Sequence, residues 1–106
     1  MHCSAFRGDD ALVVFNSIDP AMTRAEPHSH PLDQLVLTVT GTQMLEIDGQ
    51  VMECGPGTVV RVAANARHTG WPVGDRPVLN IDIFSPARED YLFLTEYQTQ
   101  YASGAG

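Results

Sequence analysis

The 106-residue chain contains no lysine. Without one there is no Schiff-base nucleophile, which excludes lysine-dependent aldol and pyridoxal chemistry. All six basic residues are arginines, set against thirteen acidic residues for a formal charge of −7, and they form no basic run. A chain of this balance suits neither nucleic acid nor an anionic membrane surface, so neither is expected as a partner. An anionic small molecule must then be met by individual arginines or by a metal ion. Cysteine is scarce as well: Cys3 and Cys54 are too few and too far apart for a disulfide framework or a Cys-rich metal site. No apolar run approaches the ~20 residues that span a bilayer, and no signal-peptide pattern opens the chain. A cytoplasmic location with reduced thiols is the expectation.

Convincing helical periodicity is also missing before Pro86. In its place stands a succession of short apolar runs punctuated by turn residues. Leu12 to Phe15 is a first strand candidate, and Leu35 to Val39, rich in branched residues and closed by Gly41-Thr42, is the strongest. Met44 to Ile47 and Val51 to Cys54 flank Asp48-Gly49, the best hairpin signal present. Thr58 to Ala63 and Val78 to Phe84 follow, with residues 65–77 between them read as a loop. Strands at this spacing predict an all-β antiparallel sandwich or small barrel. Ser85 as N-cap and Pro86 at the first helical position predict a short C-terminal helix. The length and 43% hydrophobic content suit one domain over residues 1–106, with a barrel over about residues 10–85 and a C-terminal segment over 86–106.

The stretch EPHSHPLDQLVLTVTG, Glu26 to Gly41, carries the candidate chemistry. In extended backbone His28 and His30 project from one face, and Gln34 keeps the same parity. A third imidazole, His68, follows the turn Asn65-Ala66-Arg67, and a returning strand can set it beside the first two. Three imidazoles and an amide oxygen make a neutral donor set for one divalent transition metal ion such as nickel, zinc, iron or manganese. Such an ion keeps its full charge and is a stronger Lewis acid than a carboxylate-bound one.

The pattern His28-x-His30-x3-Gln34-x6-Gly41 resembles the first motif of the cupins, with glutamine where glutamate is usual. Residues Gly57 to His68 resemble the second motif, though Thr58 stands for the usual aspartate and Ala63 to Arg67 lack the usual prolines. The closing run Asp82-Ile83-Phe84-Ser85-Pro86-Ala87-Arg88 resembles that of the pectin-degradation (KdgF-type) cupins. The resemblance implies an RmlC-like double-stranded β-barrel, or jelly roll. It also implies metal binding by His28, His30, Gln34 and His68, and active-site roles for Asp82, Phe84 and Arg88. Members of that family ketonise 4,5-unsaturated uronates.

The residues themselves leave more open. On Val78 to Phe84, Asn80, Asp82 and Phe84 share one strand face, where Asp82 is either solvent-exposed or a proton carrier in the lumen. Arg88 either grips a substrate carboxylate bidentately or pairs with neighbouring acids. Trp71 either rims the pocket or caps the core. An iron-dependent dioxygenase and a non-catalytic sugar- or metal-binding module use the same donor set, so three functions stand side by side, each with a small-molecule ligand. Apolar residues on both faces of Leu35 to Val39 further predict a homodimer that covers the outer face.

Overall fold

A computed structural model describes residues 2–86. These form eight strands: β1 (His2–Arg7), β2 (Leu12–Ile18), β3 (Asp33–Thr40), β4 (Thr42–Ile47), β5 (Gln50–Cys54), β6 (Val59–Val62), β7 (His68–Val73) and β8 (Val78–Ser85). Two antiparallel sheets result, one in the order β1-β2-β8-β3-β6 and one in the order β5-β4-β7. This is the all-β barrel that the strand spacing predicts.

Local chemistry accounts for the turns. Asp48 and Gly49 both take positive φ, 49° and 84°. That is the pair of left-handed residues a two-residue type I′ hairpin requires, and it joins β4 to β5 in the register Ile47↔Gln50. Gly41 (φ 78°) alone separates β3 from β4, carrying the chain from the larger sheet to the smaller.

The sheets face each other across an interior set by strand alternation. Near one end, Leu12, Val14 and Phe84 pack with Ala5; elsewhere Val36, Leu45, Cys54 and Val62 form a second cluster. Leu12 and Val78 have no exposed surface. Full burial of such side chains stabilises by about 1.5–3 kcal/mol each.

Two strands were not anticipated. Residues 68–73, read as loop, form β7, and His2–Arg7 adds β1 at the sheet edge. The expected helix after Ser85-Pro86 falls outside the described residues, and β8 continues through Ser85. Among the described residues no helix is long and apolar enough to cross a membrane.

Candidate metal centre

His28 and His30 precede β3 on a short extended segment. His28 and His68 exchange backbone hydrogen bonds, with His28 N–H donating to His68 O at 2.9 Å and His68 N–H to His28 O at 2.8 Å. This isolated bridge brings imidazoles forty positions apart side by side, with ring centroids at 4.4 Å. The turn before His68 is held by Asn65, whose left-handed backbone (φ 68°) suits asparagine. Its N–H donates to His30 O at 2.7 Å. His30 lies 4.9 Å from His68 between centroids and meets Phe84 edge-on at 5.7 Å.

The three histidines each offer a ring nitrogen within 4.8 Å of the others. Metal–nitrogen bonds of about 2.0–2.1 Å hold ligand pairs within roughly 4 Å, so modest side-chain rotation completes a common site. His30 and His68 are buried, whereas His28 faces solvent at the mouth.

Hydrogen bonding assigns the ring atoms. His30 Nδ1 meets Leu32 O at 3.1 Å, and His68 Nδ1 meets Ala66 O at 3.0 Å. A carbonyl only accepts, so each Nδ1 carries the proton. Nε2 then carries the lone pair, the arrangement metal-bound histidines commonly show. His30 Nε2 in turn faces Gln34 Oε1 at 3.1 Å, both residues being buried. A ring nitrogen and an amide oxygen held this close can both donate lone pairs to one metal ion. The donor set therefore fits a divalent cation: three imidazoles and an amide oxygen.

The metal-ligand candidates of the sequence thus converge, although His28 and His30 do so from a pre-strand segment rather than from β3 itself. Phe84, 2% exposed, pairs with Gln34 across β8 and β3. Asp82 stands one step deeper along β8, level with Val36 and Val14. His28, His68, Gln34, Phe84 and Asp82 border one cavity of ≈ 270 Å³, whereas His30 does not line it. The inward face of β8 is therefore the lumen wall, and Asp82 is its one charged side chain among the described residues. Arg88 lies outside the described residues. Trp71 pairs with Met44 on the opposite face of its sheet and does not line the cavity.

Sequence reasoning set Asn80 on the face of Asp82 but missed its second support, Asn16, and the thiol behind it. Asn16 Nδ2 donates to Asp82 Oδ2 at 2.8 Å, and Asn80 Nδ2 donates to Oδ1 at 3.2 Å. The Cys3 thiol donates to Asn16 Oδ1 at 2.9 Å. Burial, followed by the nearby Asp82 charge, pushes the Cys3 thiol up and keeps it a donor. Asn16 escaped notice because the apolar run of β2 ends at Phe15, while the strand continues to Ile18.

Comparison with known proteins agrees with this geometry. Residues 14–84 match the cupin domain family. No curated protein matches. Among solved structures, KdgF from Halomonas sp. is 26% identical with a TM-score of 0.78, over 85% of this chain and 82% of that one. An RmlC-like cupin from Shewanella frigidimarina NCIMB 400 is 25% identical with a TM-score of 0.72, over 80% and 74%. A salicylate 1,2-dioxygenase variant from Pseudoaminobacter salicylatoxidans shares the fold at 17% identity and TM-score 0.68, over 73% of this chain and 23% of that one. With two thirds of its length matched to that domain and three histidines positioned to bind a metal ion, the chain belongs to the cupin family.

Proposed function

We propose that this chain is a metal-dependent lyase- or isomerase-like enzyme that ketonises a 4,5-unsaturated uronate, with His28, His30, Gln34 and His68 holding one divalent transition metal ion. The observation that carries the reading is Asp82, a lone carboxylate held by two amides one strand step below the His/Gln cluster. Likeness to a protein named KdgF supports the same choice. The bound ion would supply Lewis-acid polarisation of substrate oxygens.

The chain's residues supply the rest. Asp82 takes the proton of the anomeric hydroxyl as the ring C–O bond opens to an aldehyde. The enolate so released keeps the C4–C5 double bond, and Asp82 returns the proton to C4, leaving a ketone at C5. No atom is gained or lost, so no further reactant is needed. Phe84 and Val36 keep water from the lumen wall, and Arg88 pairs with the uronate carboxylate.

Turnover is read as loss of the ultraviolet absorbance of the conjugated alkene. The metal-loaded protein should consume unsaturated uronates, lose activity on chelation and regain it on reloading. Asp82→Asn should keep its metal and lose turnover; full activity in that variant would remove the proton-transfer role. Oxygen uptake by the iron-loaded protein with an aromatic acid would instead favour the dioxygenase reading.

A further inference from the structure

We propose that the segment between β2 and β3 is a latched strap. The Arg24–Glu46 ion pair holds residues 23–29 down, and its opening withdraws His28 from His30 and His68 and widens the cavity mouth. This rests on the metal centre described above and is independent of the choice of substrate.

The cavity wall is unevenly held. Of the described residues that border it, all but Ala25 and His28 lie in strands. Those two belong to a stretch that buries little, with Thr23 to Glu26 and His28 all exposed. Among the described residues, Thr23 to Pro27 take part in no backbone-to-backbone hydrogen bond. A stretch with neither buried apolar contacts nor a hydrogen-bonded backbone stands at the low end of local stability. Its two ends, by contrast, are fixed. Met22 N–H donates to Asp19 O at 3.0 Å and Ala21 N–H to Asp19 Oδ1 at 2.8 Å, closing a turn. At the other end His30 O accepts from Asn65 N–H.

Two arginines secure the stretch between those ends. Arg24 Nε and Nη2 donate to Glu46 Oε1 and Oε2 at 3.2 and 2.9 Å, a bidentate pair. Arg67 Nη2 donates to Pro27 O at 3.0 Å. Glu46 stands on β4, level with Thr69 of β7, so Arg24 reaches across the edge strand to the middle of the smaller sheet. The next tie along the chain is the pair of backbone bonds between His28 and His68. His28 is also the exposed member of the metal set, whereas His30, Gln34 and His68 are buried. The ligand that can leave is therefore the one carried by the strap. Release of Arg24 removes one of the contacts that must break before it does, and salt weakens an exposed pair of this kind.

The test uses the full chain, with nickel as the probe, in the wild type, Arg24→Ala, Glu46→Gln and the charge-exchanged Arg24→Glu, Glu46→Arg double variant. Two rates are read: hydrogen exchange of the His28 amide in metal-free protein, by NMR, and nickel release into excess chelator. Each single variant should raise both rates roughly two- to fivefold, the weight of an exposed ion pair. The Ile83 amide of β8, an interior strand, should exchange as before. The double variant should return both rates toward the wild type, and about 1 M salt, where charges are screened beyond ~3 Å, should remove the differences. His28 exchange that is equal in wild type and single variants, or that rises together with Ile83 exchange, overturns the latch. Faster His28 exchange with unchanged nickel release overturns the coupling of the strap to the metal. A wild type that holds no nickel overturns the metal centre and that coupling with it, and the His28 exchange rates still decide the latch.

Discussion

Replacing Gly41 by alanine should cost far more stability than the same change at Gly57, although both take positive φ. Gly41 has φ +78° and Gly57 φ +87°, so each imposes a left-handed backbone costing about 1–2 kcal/mol with a side chain present. Relief of unfolded-state entropy returns about 0.4–1 kcal/mol. Gly57→Ala should therefore lose about 1 kcal/mol, since a Cβ there meets nothing within 4 Å. At Gly41 the added Cβ lies 2.5 Å from Pro77 O and 3.1 Å from Val78 Cα. Both are backbone atoms, so β8 must move, and overpacking of that kind adds about 1–3 kcal/mol. Gly41→Ala should lose about 2–4 kcal/mol in all. Urea denaturation followed by the fluorescence of Trp71, the single tryptophan, reads both. With a slope of about 1–3 kcal/mol per molar urea, the midpoints of the two variants should stand roughly 1 M apart. Equal midpoints would refute the steric argument and leave only backbone strain.

Other outcomes follow from the same geometry. Gln34→Ala should lower metal affinity at least roughly tenfold and leave the fold intact; unchanged metal content after dialysis would strike Gln34 from the ligand set. The outer face of the larger sheet exposes Phe6 (53%), Phe15, Leu35 and Val59 (59%), and covering it predicts a homodimer. Light scattering at micromolar concentration should give twice the chain mass, and a monomer would refute it. Burial pushes the Cys54 thiol up, as it does that of Cys3. The stability supplied by these neutral thiols is full below the ordinary value of 9.0 and declines as pH rises past it, because the unfolded chain ionises first. Cys54→Ala should therefore lose less melting temperature than the wild type between about pH 8 and pH 10, and parallel declines would contradict this.

Much of the barrel was legible because its central strands carry alternating branched residues and its β4–β5 turn carries Asp-Gly. β7 was illegible for a physical reason: HTGWPV contains Gly70 and Pro72, residues that argue against a strand. Both have a local justification. β7 is an edge strand, where a missing N–H is tolerated, and a Cβ on Gly70 would lie 2.9 Å from Leu45 Cδ2. β1 hid because an edge strand buries little, here Ala5 alone with Cys3 partly covered. The histidines were visible by spacing and Asn80 by its strand parity with Asp82, but the second amide that holds Asp82, Asn16, was not. Asn16 and Asn80 are sixty-four positions apart in sequence and meet only through the pairing of β2 with β8.

The bridge between His28 and His68 also ties metal affinity to the closed fold. In the unfolded chain only His28 and His30 are neighbours, a local pair of modest reach. His68 stands beside them only where the 28–68 hydrogen bonds close a loop of forty residues, a long-range contact with an entropic cost that grows slowly with loop length. A metal ion captured by the full set is thus a ligand of the closed barrel, and its binding free energy adds to the stability of that state. Bound metal thereby opposes opening of the barrel.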